Sequence, residues 1–491
     1  MTIALSAGTL PALADKASVP AYDRAALSAG ILHFGIGNFH RAHQAVYLDR
    51  LFGQGRDHDW AILGAGVMPS DQRMRDALEP QDWLTTVVEQ SGAQSLARVT
   101  GAMIGMLPVG DTEAIVAGLA DPAIRIVSLT VTEGGYYIDA AGAFDAGHPA
   151  IRADIASPES PATVFGLIVA GLARRRAAGL APFTVMSCDN IPHNGVVTRN
   201  AVLGIARPID AGLADWIAAE VAFPNGMVDR ITPATGDHER AALAADFGIE
   251  DRWPVFCEDF TQWVLEDRFS AGRPALEAVG VQFVSDVTPF ETMKIRILNG
   301  GHAIIAYPAG LLGITHAHEA METPLIRDFL RKVEREEILP IVPPVPGTDL
   351  AAYFGIIEQR FANPKIKDTI RRLCLDGSNR QPKFIVPSIA DRLKAGTGIE
   401  GLALESALWC RYCHGETEDG AAIEPNDPNW ERLTAVAKRA RVEPGVWLDM
   451  HEVYGETGRS ENFRDRFAAA LRALWADGTR AVLTRYVGGA P

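Results

Sequence analysis

From Gly30 onward short apolar runs alternate with longer amphipathic ones, and near residue 286 that alternation stops. Nothing else in the chain limits its fold as strongly. Residues 31–35, 60–64, 124–131 and 183–188 read as buried strands, while 38–52, 111–120 and 161–178 carry apolar residues at helical spacing. Strands alternating with helices predict a mostly parallel sheet covered on both faces. Residues 84–88 and 97–107 are β-rich and fit a hairpin or an edge addition. Beyond the break, residues 289–306, 324–338, 348–361, 366–374, 385–395, 400–413, 430–440 and 462–476 all read as helices, without convincing strands. A chain of 491 residues exceeds what one core ordinarily supports. The boundary is placed near Val287 and Thr288, giving an α/β domain over 1–286 and a mostly α-helical domain over 287–491.

The charge balance narrows the function. Forty-six basic and 61 acidic side chains leave a formal charge of −15, which repels phosphate backbones and argues against a nucleic-acid partner. The longest apolar stretch, 303–314, is too short and too broken by Gly and Pro to span a bilayer, so no membrane role is expected. The opening MTIALSAGTLPALADK lacks the basic start of a signal peptide. Five scattered cysteines make no disulfide framework, and a cytoplasmic protein is expected.

Gly35, Ile36 and Gly37 fall between the first strand and the first helix. Glycines there let the backbone turn tightly and approach a pyrophosphate seated at the helix start. That context predicts a Rossmann-type dinucleotide domain with insertions, although His40 stands where a third glycine is usual. The second strand ends in GAGVMPSD, where Asp71 is the nearest acid to its tip, and Arg73 and Arg75 could take a 2′-phosphate. These residues alone leave NAD and NADP both open.

The segment FETMKIRILNGGHAIIAYPAG is the most informative. Wound as an α-helix, it projects Lys294, Asn299 and His302 within about 140° of one another. A lone lysine on a helix is ordinarily a solvated charge, and a lone histidine a satisfied core residue. Here Met293, Ile295, Ile297, Leu298, Ile304 and Ile305 make the helix apolar nearly all round, so it should be buried. Desolvation disfavours an ammonium, which makes such a lysine a competent base for an alcohol proton. Asn299 would donate to the oxygen as it gains charge, and His302 would orient a neighbouring hydroxyl. Glu291, three residues before the lysine, is placed to affect its charge or relay its proton.

Together, GIGNFHRAH, TVTEGGYY, SCDNIPHNG, FPNGMVDRITP and KIRILNGGH resemble the polyol-specific long-chain dehydrogenases over nearly the whole chain. The Lys-x4-Asn-x2-His spacing is the most specific mark. The resemblance implies a Rossmann-type domain followed by a helical one, NAD as cofactor, no metal, and a monomer. It implies hydride transfer between a polyol and a ketose, nearest the members that interconvert D-mannitol and D-fructose. Lys294 matches the general base, Asn190 and Asn299 the pair that stabilises the alkoxide, and His302 a substrate-orienting residue. Asp229 and Arg372 match substrate-binding positions. Arg380 replaces a lysine found in some relatives, with Lys383 nearby. Gly35, Ile36, Gly37, Asn38, Phe39 and Glu133 match cofactor contacts, and Met68 occupies the place where NAD-preferring relatives often carry an acid. Hexuronate reductases and sorbitol or arabinitol dehydrogenases of the same family are the alternative readings, and a non-catalytic cofactor-binding sensor a more distant one. Cys410-Arg-Tyr-Cys413-His414 mimics a haem-attachment motif, but it reads as part of a buried helix.

Overall fold

Strands β1 (Ala29–Phe34), β2 (Ala61–Ala65), β3 (Met103–Met106), β4 (Ile126–Leu129) and β5 (Thr184–Ser187) pair in parallel in the order β3-β2-β1-β4-β5. They belong to the first of two units, Met1–Thr288 and Pro289–Pro491, in a computed structural model that describes residues 2–138 and 142–489. Alternation along each strand sends side chains to two separate cores. Leu32, Val127 and Val185 meet Phe165, Ile168 and Leu172 of the helix Val164–Ala177. Ile31, Ile62, Ile126 and Met186 meet Tyr47, Leu48, Leu51 and Phe52 of the helix Gln44–Phe52. The strand order reverses at β1, so the turns after β1 and β4 flank the topological switch point, where doubly wound sheets bind ligands.

Two sequence expectations are refined in this unit, and one sheet is added. The helix expected over 38–52 breaks at His43 (φ −118°, ψ −88°) into Asn38–Ala42 and Gln44–Phe52. The β-rich stretch 97–107 divides between two sheets. Ser95–Thr100 pairs antiparallel with Thr85–Gln90, which also pairs with Val255–Glu258, whereas β3 joins the main sheet. A further three-stranded sheet, not anticipated, joins β6 (Gly226–Asp229) to Gln262–Glu266 and Gln282–Val284.

The second unit is helical, and its described residues contribute only isolated bridges outside the helices. Residues 288–311 wind continuously, but as three segments: Thr288–Met293, a π-helical Lys294–Asn299, and Gly300–Leu311. Residues 366–374 yield only the short helix Ile370–Leu373, and Gly377–Phe384 adds one the sequence did not suggest. There a Cβ on Gly377 would lie 2.5 Å from Nε1 of Trp409 and 2.9 Å from the Tyr307 hydroxyl, so the close approach requires glycine.

Candidate active site

At the end of β1 the backbone turns through Gly35 at φ 92°, where a Cβ would meet the Thr130 carbonyl oxygen at 2.1 Å. No side chain fits there. Thr130 fixes the turn from the neighbouring strand, donating from Oγ1 to the Gly35 carbonyl at 2.6 Å. His33 Nε2 faces both groups at 3.1 and 3.0 Å. Burial pushes this imidazole down to about 3, so it is neutral. His40 stacks on His33 with ring centroids 3.5 Å apart, which is how a histidine serves at the third glycine position. Gly37 is exposed and open on its Cβ side. The start of Asn38–Ala42 leaves the Asn38 and Phe39 N–H groups without helical partners. A tight turn, an open glycine and outward N–H groups at the switch point fit a dinucleotide pyrophosphate.

The expected cofactor residues divide into those that face outward and those committed inward. The Asn38 amide donates to Pro233 O at 3.1 Å and Thr235 Oγ1 at 2.9 Å, and accepts from Arg41 at 2.8 Å. Its side chain therefore ties the loop to the segment after β6, leaving only its backbone for a ligand. Ile36 is buried, and Phe39 stacks on His43 at 4.9 Å. Glu133 is exposed, and Met68 is 58% exposed. Asp71, the acid nearest the tip of β2, spends Oδ2 on the Val67 and Met68 N–H groups, both at 2.9 Å. Arg75 donates to Met106 O at 2.5 Å and to Glu79 at 3.0 Å, which leaves Arg73 as the exposed cation of the helix Pro69–Leu78.

Two more expected residues end strands of this unit. Asp229 closes β6 and is buried at 5% exposure. Its neighbour Arg230 donates to Glu258 O, Ala42 O and Glu89, so it is committed within the core. Asn190 follows β5 and is exposed. It does not cap the next helix, whose N-cap is His193. The buried Asn194 does the tying there, donating to Ser187 O, Asp189 O and Gly226 O and accepting from Gly226 N–H.

In the second unit Lys294 is buried at 5% exposure and Glu291 at 7%. α-Winding would place positions five apart about 140° from each other. The Gly300 N–H instead bonds to Ile295 O, a bond between positions five apart, and winding of this kind brings Asn299 closer to the face of Lys294 than α-winding would. His302 follows at the next turn, stacked on Phe361 at 4.2 Å. Burial first, then the charges of Arg372, Arg360, Arg380 and Lys294, push its imidazole well below its ordinary value. His302 is therefore neutral at physiological pH, and a cluster of cations surrounds it.

Arg372 is paired with a carboxylate. Its Nε donates to Asp368 Oδ1 at 2.5 Å and its Nη2 to Oδ2, a bidentate pair. Arg380 donates to the Arg372 and Leu373 carbonyls, both at 3.2 Å, and Lys383 is exposed. Cys410 and Cys413 lie buried in the helix Glu400–Cys413, their thiols pushed well up by burial. Among the described residues one mixed group, His316, His318 and Glu319, brings ligand-type atoms within 4.8 Å of one another. Glu319 Oε2 already accepts the His316 N–H there at 2.9 Å.

The Mannitol dehydrogenase Rossmann domain matches residues 29–278, and the Mannitol dehydrogenase C-terminal domain matches 286–475. The chain belongs to the mannitol dehydrogenase family. It is 63% identical to a mannitol 2-dehydrogenase of Cereibacter sphaeroides, over 95% of this chain and 98% of that one. A mannitol 2-dehydrogenase of Neosartorya fischeri is 43% identical over 96% of this chain and 95% of its own. Among solved structures, Pseudomonas fluorescens mannitol 2-dehydrogenase in ternary complex with NAD and D-mannitol superposes with a TM-score of 0.88, at 44% identity and 100% coverage of both chains. A substrate-free D-sorbitol dehydrogenase superposes with a TM-score of 0.91, at 36% identity over 98% of this chain and 100% of that one. The Rossmann-type and helical parts expected from the sequence are those of the mannitol dehydrogenase family.

Proposed function

We propose that this chain is an NAD-dependent dehydrogenase that oxidises D-mannitol to D-fructose, with Lys294 as general base. The reading is supported by the burial of Lys294 and by the π-helical turn between it and Asn299, whose winding brings the two positions closer to one face. The turn after β1, at Gly35 and Gly37, would hold NAD, which would supply the acceptor for the hydride leaving the alcohol carbon. Lys294 Nζ takes the hydroxyl proton, and Asn299 donates to the oxygen as its negative charge grows. Asn190 carries the same assignment by resemblance. Neutral His302 orients a neighbouring hydroxyl of the polyol, and Glu291 passes the proton of Lys294 outward. Asp229, Arg372 and Arg380 are assigned to the substrate; of these, Arg372 acts while paired with Asp368. Gly35, Ile36, Gly37, Asn38 and Phe39 form the cofactor turn, through backbone in the case of Asn38, with Met68 and Glu133 at its sides. The Asp368 pairing neutralises Arg372, one of the two arginines that a hexuronate carboxylate could use. Five free thiols suit the reducing cytoplasm. The monomer expected by resemblance corresponds to 52.8 kDa in light scattering.

The test is the Lys294→Ala variant, assayed with mannitol, sorbitol, arabinitol and mannonate, each with NAD and NADP. Mannitol with NAD is the expected best pair. The variant should lose about 100-fold or more in turnover, typical for removal of a general base, and still bind NAD. Near-normal turnover in the variant would end the lysine mechanism, and preference for another substrate would reassign the activity.

A further inference from the structure

Thr132 sits at φ 65°, ψ 166°, a region of backbone space essentially reserved for glycine, and it is β-branched. Such a conformation persists only where the surrounding bonds over-determine it. The Thr132 carbonyl accepts from the Gly135 N–H at 3.0 Å, and one side chain supplies the rest. Asp189 Oδ1 accepts the Thr132 N–H at 3.0 Å, and Oδ2 accepts the Val131 N–H at 2.9 Å. Oδ2 also accepts the hydroxyl of the buried Tyr136 at 2.7 Å, and that hydroxyl lies 2.6 Å from Ser187 Oγ.

Asp189 is itself anchored from behind. Its N–H donates to Ser187 Oγ at 3.2 Å, and its carbonyl accepts from Asn194 Nδ2 at 3.1 Å and from the Ile191 N–H at 2.9 Å. Asn194 bonds Gly226 in both directions, so the end of β5 and the start of β6 fix the carboxylate before it reaches the turn after β4. On the other flank of that turn, Thr130 is locked to Gly35. Residues 130–133 are thus held between the glycine turn on one side and Asp189 on the other.

We propose that Asp189 is a positioning residue for the cofactor: its carboxylate holds the Thr132 backbone in a glycine-only conformation and so fixes where the following residue, Glu133, stands at the turn after β4. The proposal rests on the reading above only in seating NAD at the switch point. Without the carboxylate, two N–H groups and a buried hydroxyl lose their acceptor. Thr132 then relaxes to negative φ and carries Glu133 out of place.

The experiment compares Asp189→Ala, Thr132→Gly and the double variant as full-length proteins. NAD affinity is read by calorimetric titration, alongside KM for NAD and for mannitol. Glycine adopts positive φ at no steric cost, so Thr132→Gly alone should bind NAD within about twofold of wild type. Asp189→Ala should weaken NAD by about tenfold and raise its KM, with the KM for mannitol little changed. Adding Thr132→Gly to Asp189→Ala should recover most of the lost affinity, which a merely structural aspartate would not allow. Where Asp189→Ala fails to fold, Asp189→Asn, with one acceptor in place of two, takes its place in the comparison. Unchanged NAD affinity in the aspartate variant, or no recovery in the double variant, overturns the proposal and leaves the dehydrogenase reading intact. A wild-type protein that binds no NAD overturns both.

Discussion

Ile36 and Gly64 compete for one space: a Cβ on Gly64 would lie 2.1 Å from Cδ1 of Ile36 and 3.2 Å from its Cγ1. The cofactor turn is therefore moulded on the missing side chain of the neighbouring strand. Gly64→Ala should overpack this contact and destabilise the protein by about 1–2 kcal/mol, because a buried β-branched isoleucine yields little. Calorimetric melting and NAD titration on the same variant check it. A lower melting temperature with unchanged NAD affinity would show that the turn does not depend on this anchor.

At the tip of β2, Met68 points outward and Asp71 is spent on backbone N–H groups. Met68→Glu would place a free carboxylate where adenosine ribose hydroxyls are recognised in this fold. The expected outcome is about tenfold higher selectivity for NAD over NADP, chiefly because the acid repels a 2′-phosphate. The ratio of kcat/KM values for the two cofactors measures it.

Asp368→Asn should release Arg372 from its bidentate partner. A guanidinium so freed favours a carboxylate, so kcat/KM for mannonate relative to mannitol should rise about tenfold, worth about 1.4 kcal/mol. Unchanged discrimination between the two substrates would place Arg372 outside substrate recognition.

Burial raises the Glu405 carboxyl to about 8, opposed only in part by the Gln381 amide, which donates to Oε1 at 2.6 Å. The folded state therefore holds a proton that the unfolded chain releases near pH 4.5. The stability this proton confers is complete below the unfolded value and is lost as pH rises through about 8. Glu405→Gln carries no such proton. Between pH 5 and 8 it should gain on the wild type by up to about 1.4 kcal/mol per pH unit. Urea unfolding of both proteins across that range checks the slope, and parallel profiles would mean the carboxyl is ionised in the fold.

The sequence read best where a periodicity or a glycine reports a constraint that is local. The buried strands and the turn at Gly35 were legible because each is set by residues within a few positions. The helix bearing Lys294 was legible as a buried element, but its winding was not, since a π-turn and an α-turn share the same apolar pattern. The commitment of Arg372 had a signal in Asp368, four residues earlier, which is the spacing of a helical ion pair. Asn38 had none, because its partner Thr235 lies 197 positions away. Nor did Asp189 stand out beside Asn190. Its role depends on the φ of Thr132, 57 positions earlier, and sequence carries no direct record of a backbone angle.

The π-helical stretch from Lys294 to Asn299 has a genetic corollary. It holds more residues per turn than the α-helix it interrupts, so it behaves as a built-in insertion with no slack on either side. Deleting one residue between Lys294 and Asn299 would leave them four positions apart, about 40° from each other on an ordinary α-helix and so on one face. Along this helix a natural variant lacking one residue between the two should therefore keep both side chains on one face, wound as an uninterrupted α-helix.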